Sequence, residues 1–220
     1  MTRARPAAGG GRRLGVPPER LGRWLDGVAT RHGAFTDVHA DGDALAVACA
    51  DGTAVTLRAP FGWVPEAPLL ASFTAAAGRP RRVAVLLVRR GRWAVGVFAG
   101  PELVVSKVDS RLVQGRTAAG GWSQQRFARR RDNQTAAVVS SAADTAARVL
   151  LPHAAGLDAV APGGDRGLVD DVLADPRLRA LAALPRLAPL EVGEPTKAVL
   201  LETPQQFRAV AVHIREPGDT

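Results

Sequence analysis

The residues with the clearest chemical potential lie in one stretch, GRTAAGGWSQQRFARRR, residues 115–131. Gly120 and Gly121 permit backbone angles that other residues avoid and let a ligand approach the main chain closely. Ser123 is a good N-cap for a helix that follows it. Such a helix start offers unpaired N–H groups and the positive end of a dipole, which suit a phosphate or a developing oxyanion. Gln124 and Gln125 follow within one turn, and Gln114 precedes the loop. A glutamine amide is neither acid nor base at neutral pH, so its use in catalysis is to orient water and hydrogen-bond a developing charge.

Arg126, Arg129, Arg130 and Arg131 occupy the next turns, and Arg116 stands on the other side of the glycines. No single carboxylate can pair all of them. Cations at a helix N-terminus also oppose its dipole, an arrangement that a bound polyanion offsets, and RNA phosphate is the natural one. Phe127 and Ala128 are expected to dock the helix. Trp122 has two readings, stacking on a base or anchoring the loop. A plainer account of the whole stretch is a Gly-Gly hinge before a solvated, arginine-rich helix.

The elements that must carry this segment are legible on either side. RVAVLLV, RWAVGVFAG and PELVVSKV read as three antiparallel strands, with turns at Gly91 and Gly100-Pro101. A polar segment follows from Asp109 to Gly121. From Trp122 to Leu151 there is no Gly or Pro, which allows one long helix. LDAVAPGG reads as a buried strand, DRGLVDDVLADPRLRALAAL as helical pieces divided at Pro176, RLAPLEV as a further strand, and KAVLLETPQQFRAVAVHI as a closing strand pair. Three antiparallel strands, a long helix, a strand, helices and a further strand give the element order of a ribonuclease-H-like α/β fold with a mixed sheet, the last strands running parallel to the first.

Ahead of this, Leu21, Trp24, Leu25 and Val28 recur at helical spacing. Short strands are expected near 35–40, 43–49 and 53–58, with Asp41-Gly42 and Asp51-Gly52 as turns. Residues 1–15 hold little to bury and read as a disordered basic tail.

Composition narrows the partners. The 220 residues carry a net charge of +8, with a sequence pI of about 11.3, which favours a polyanionic partner, nucleic acid first. Arginine bias accounts for the choice of cation, since only Lys107 and Lys197 are lysines, but not for its clustering. Cys49 is the only cysteine, so no internal disulfide forms, and His32, His39, His153 and His213 are scattered singly. No metal site and no cofactor are expected. No stretch reaches the length of a membrane span, and the basic N-terminus lacks the apolar run of a signal peptide, so the expected setting is the cytoplasm without membrane contact.

The segment GGWSQQRFARRR resembles the middle-domain motif of the eukaryotic and archaeal class I release factors, in which Gly-Gly-Gln leads into Ser and an Arg-Phe-Ala-Arg helix. Residues 115–134 are still more similar to the actinobacterial branch of the Vms-like release-factor family of peptidyl-tRNA hydrolases. Ser123, Arg126, Phe127, Ala128, Arg129 and Arg131 match in place, while Trp122 stands where the release factors have glutamine. The resemblance implies a release-factor middle-domain fold and release of nascent chains from peptidyl-tRNA on stalled ribosomes or large subunits. The partners it implies are peptidyl-tRNA, the large ribosomal subunit and its rRNA, met by a monomer.

The resemblance also assigns roles. Gly120 and Gly121 would form the catalytic loop with Gln124, or failing that Gln125 and then Gln114. Arg116, Trp122, Ser123, Arg126, Arg129, Arg130 and Arg131 would contact RNA. The expected organisation is a tail over 1–15, a helix and β-hairpin region over 16–80, a catalytic domain over 81–195, and a strand pair with a tail over 196–220.

Other readings are a non-enzymatic ribosome-rescue adaptor and metal-free cleavage near the tRNA acceptor end. A two-metal nuclease is disfavoured, because the central strands offer only Glu102, with Asp109 just after, and Asp170 and Asp171 fall on a helix.

Overall fold

A computed structural model describes residues 4–7, 10–111 and 124–219, with the backbone alone for 124–133. Along the chain the strands and helices are β1 (Arg5–Pro6), β2 (Arg12–Val16), α1 (Leu21–His32), β3 (Phe35–Asp41), β4 (Ala44–Cys49), β5 (Ala54–Arg58) and α2 (Leu69–Gly78). Then come β6 (Arg82–Arg89), β7 (Arg92–Ala99), β8 (Glu102–Ser110), α3 (Gln124–Leu150), β9 (Ala159–Gly164), α4 (Arg166–Leu173) and α5 (Arg179–Ala182). The last three are α6 (Lys197–Glu202), α7 (Pro204–Phe207) and β10 (Val210–Arg215). The chain divides into two compact units, 1–80 with 204–220, and 81–203.

In the first unit six strands form one antiparallel sheet in the order β1-β2-β10-β5-β4-β3. Alternation along the strands sends Val47 and Cys49, Val55 and Leu57, and Val210 and Val212 into a core shared with Leu21, Leu25, Val28 and Phe73 from α1 and α2. Gly42 and Gly52 take positive φ at the turns expected for Asp41-Gly42 and Asp51-Gly52.

Two expectations are corrected here. Residues 12–15, read as part of a disordered tail, belong to β2, where Leu14 pairs with Val212 and Val16 is fully buried beside Val210. Their partners lie about 200 residues away, beyond the reach of local composition. The C-terminal strand pair is also absent. Residues 197–202 are helical, capped by Thr196, whose hydroxyl accepts from the Val199 N–H at 3.2 Å. That leaves β10 to insert between β2 and β5.

The second unit holds a four-stranded sheet in the order β8-β7-β6-β9. β6, β7 and β8 form an antiparallel meander, and β9 lies parallel to β6 after the α3 crossover. Two parallel bridges, Val160 to Arg186 and Gly163 to Leu190, set the RLAPLEV segment on the far side of β9. Pro189 has no N–H to donate, so this fifth position holds bridges and not a continuous ladder. The fold is the ribonuclease-H-like mixed α/β architecture.

Every residue of β6 from Val83 to Val88 is buried, as expected of a central strand covered on both faces. On one face Ala84, Leu86, Val88, Trp93, Val95 and Val97 meet Val138, Ala142, Ala143, Ala146 and Leu150 of α3. The alanines let the helix approach the sheet closely, and each buried Val or Leu contributes roughly 1.5–3 kcal/mol relative to exposure. Leu200 of α6 is fully buried, and a Cβ on Gly96 of β7 would come within 3.2 Å of it. The second compact unit runs to residue 203.

Candidate RNA-facing site

Gln114, Arg116, Gly120, Gly121, Trp122 and Ser123 lie outside the described residues. Gln124, Gln125, Arg126, Arg129, Arg130 and Arg131 are gathered on the first eight residues of α3, with their side chains outside the described residues. The described part of the site is therefore the foundation of this helix.

That foundation is a set of polar ties between α3 and the sheet edge where β8 ends. Trp93, 3% exposed, donates its indole N–H to the Thr145 hydroxyl at 3.0 Å. The same hydroxyl donates to the Ser141 carbonyl at 2.9 Å, so no buried polar atom of this pair is orphaned. Arg111 leaves β8 with its N–H on the Gly91 carbonyl at 2.8 Å and its Nη1 on the Ser141 hydroxyl at 3.0 Å. With Asp109, Ser110, Asp144 and Arg148, these side chains line an open cleft of about 290 Å³.

A second anchor holds the helix at Asp144, on the same cleft-lining face. Arg177 bonds Asp144 of α3 at 2.7 Å, and both oxygens of Asp175. The Arg177 side chain and then its backbone N–H hold the Asp175 carboxyl down to about 2. The guanidinium is raised in turn, chiefly by Asp175 and next by Asp144. These supports were not singled out from sequence, although Ser141, Asp144, Thr145 and Arg148 recur at helical spacing beside the apolar stripe.

The ties set the level from which the arginine-rich end extends. Ser141 and Thr145 stand level with the end of β8 and the start of β7. Gln124 is seventeen residues before Ser141. At a rise of ~1.5 Å per residue it lies about 25 Å along the axis, away from the sheet core.

Charge is concentrated in the same place. Residues 81–203 hold sixteen arginines and two lysines against twelve acidic residues. Six of the arginines fall in 111–131, which contains no Asp or Glu. Outside that segment the unit is balanced, twelve cations to twelve acids, and many of these are paired: Arg81 with Asp158, Arg92 with Glu194, Arg186 with Asp170.

The carboxylates considered for a nuclease do not converge. Glu102 and Asp109 stand seven residues apart on one strand, about 23 Å at the usual rise. Asp170 is engaged by Arg166 and Arg186, and Asp171 is exposed on α4. Among the described residues no three His, Cys, Asp or Glu side chains are grouped to hold a metal ion. His32 is buried, bonded through Nδ1 to Asp51 at 2.9 Å and Thr53 at 3.1 Å. His39 bonds Asp37 and His213 bonds the Gly10 carbonyl. Cys49 is buried, where desolvation raises its thiol pKa. No helix among the described residues is long and apolar enough to cross a membrane.

A ribonuclease-H-like sheet carrying a long helix with an arginine-rich start defines the class. Residues 81–213 match the family model of the Actinobacteria/chloroflexi VLRF1 release factors, and the chain belongs to that family. The matched region begins where the second compact unit begins. Among solved structures, the chain is similar to the archaeal translation termination factor aRF1, with 11% identity and a TM-score of 0.39, over 89% of this chain and 66% of that one. It is also similar to a structure described as an archaeal protein, with 14% identity and a TM-score of 0.32, over 71% and 48% of the two chains. The chain thus spans less than two thirds of either protein. No curated protein matches.

Proposed function

We propose that this protein is a peptidyl-tRNA hydrolase that frees nascent chains from stalled ribosomes or large ribosomal subunits in the cytoplasm. The observation that carries this reading is the charge distribution in a release-factor family member. All the excess positive charge of residues 81–203 is equalled by the six arginines of residues 111–131, five of which flank the Gly-Gly segment or fall on the start of α3. A structural helix has no use for that excess, whereas RNA phosphate does.

Helical phase supports a division of labour. At ~100° per residue, the positions of Arg126, Arg129 and Arg130 fall roughly opposite the stripe of Val138, Ala142 and Ala146 that meets the sheet. These positions suit contact with tRNA and rRNA. Gly120 and Gly121 then bring main chain close to the ester, and Gln124 aligns water against it and hydrogen-bonds the developing oxyanion. Gln125 is the second candidate and Gln114 the third. Arg116, Trp122, Ser123 and Arg131 complete the RNA contact. The reaction needs no cofactor, and the protein acts as a monomer.

The test is peptide release by purified protein from large subunits carrying peptidyl-tRNA, with sequencing of the tRNA 3′ end afterwards. Released peptide and an intact terminus are expected. Binding without release would make the protein an adaptor, and a shortened terminus would mean cleavage of the tRNA itself.

A further inference from the structure

The arginines at the root of α3 have no part in the loop chemistry, yet three of them stand together where β8 ends. Arg111 and Arg148 line the same cleft, and the N–H of Arg111 is held by the carbonyl of Gly91, the neighbour of Arg90 in the β6–β7 turn. All three are exposed. Arg111 bonds a neutral hydroxyl, that of Ser141, and neither Arg90 nor Arg148 has a partner among the described residues. The acids that share the cleft are already answered, Asp109 by Lys107 at 3.9 Å and Asp144 by Arg177 at 2.7 Å. Two guanidiniums without carboxylate partners, those of Arg111 and Arg148, therefore line a cleft that also offers the hydroxyls of Ser110 and Ser141, and Arg90 stands in the adjoining turn. Guanidinium forks beside hydroxyl donors suit the non-bridging oxygens of a phosphodiester.

We infer that the rim formed by Arg90, Arg111 and Arg148 is a second phosphate-contacting site, which takes the backbone of an RNA strand at the root of α3. The inference rests on the proposed role of the arginine-rich helix start and extends it. Ser141 lies ten to fifteen residues after Arg126 and Arg131, about 15–22 Å along the helix axis. A nucleic-acid backbone covers that distance in several nucleotide steps. The two sites grip one RNA at separated points, which orients the helix as well as attracting it. The phosphates can belong to tRNA or to rRNA.

The experiment measures binding of the full chain to deacylated tRNA and, separately, to vacant large ribosomal subunits, over a range of salt. Arg90→Glu with Arg148→Glu changes two exposed side chains that make no hydrogen bond or ion pair among the described residues. On the RNA that uses the rim, affinity is expected to fall at least tenfold, and the log–log salt slope by about 1.4–1.8, since each lost phosphate contact removes ~0.7–0.9. Loss on tRNA alone identifies the strand as tRNA, and loss on subunits alone as rRNA. The pair Arg90→Gln with Arg148→Gln, which introduces no repulsion, must show the same loss of slope. Wild-type affinity and slope in both variants on both RNAs overturn the rim site while leaving the functional proposal standing. A wild-type protein that binds neither RNA overturns the functional proposal itself.

Discussion

Trp93 and Thr145 are joined by a 3.0 Å hydrogen bond between a strand and a helix that are 52 residues apart in sequence. Trp93 is 3% exposed and so is Thr145, and the Thr145 hydroxyl is the partner of the indole N–H. Thr145→Val keeps the shape of the side chain and strands that donor, at a cost of about 1–3 kcal/mol. Thr145→Ser keeps the hydroxyl and loses one methyl, about 0.8 kcal/mol. Denaturant unfolding separates the two. A valine variant as stable as wild type would show that the bond is not what fixes the helix to the sheet.

Acid should weaken the second anchor. The Asp175 carboxyl lies at about 2 instead of 3.8, held there by the Arg177 side chain and backbone. A carboxyl depressed in the folded state stabilises fully above its unfolded value and loses that contribution as pH falls through its folded value. The window is therefore roughly pH 4 down to 2, and the group's exposure makes the effect sensitive to salt. In a series of melting temperatures across that window, Asp175→Asn should decline less steeply than wild type. Parallel curves would mean that the Arg177 bridge adds nothing to the fold.

The first two strands of the central meander were legible as apolar runs joined by a turn at Gly91, and β8 from the LVV run after the Gly100-Pro101 turn, while β6 is buried on both faces. The length of α3 was legible from the want of Gly and Pro between Trp122 and Leu151. KAVLLE was not: an apolar run of that size fits a strand or a buried helix equally, and the cap at Thr196 decides it. β2 escaped notice because Arg12 and Arg13 hide a strand whose partner, β10, closes the chain. In the site, local spacing marked the arginines and glutamines of 114–131. The Trp93–Thr145 and Arg111–Ser141 ties join distant segments, and no local pattern encodes them.

The arginines of the helix start should act through phosphate. Arg129→Ala with Arg130→Ala should weaken binding to large subunits or tRNA and flatten the log–log salt dependence by about one to two, as expected for two lost phosphate contacts. The fold should survive, because these positions lie at the helical phase opposite the apolar stripe. An unchanged slope would assign both arginines to another partner.

The final test concerns the glutamine. Trp122 stands at the position where the class I release factors carry theirs, and Gln124 is the first residue of α3. If Gln124 aligns water at the ester, Gln124→Ala should lower single-turnover peptide release by about 100-fold or more, the usual loss for one positioned hydrogen-bonding group. Gln125→Ala should be milder, because one step along a helix turns the side chain by ~100°. Measurement at saturating protein keeps weakened binding from imitating lost chemistry. Trp122→Gln restores the Gly-Gly-Gln order and asks whether that position reaches the ester. Wild-type release from Gln124→Ala together with loss in Trp122→Ala would move the active position to residue 122. An indole cannot take the glutamine's place as an acceptor of a hydrogen bond from water, so the main chain of the Gly-Gly loop would then have to orient it.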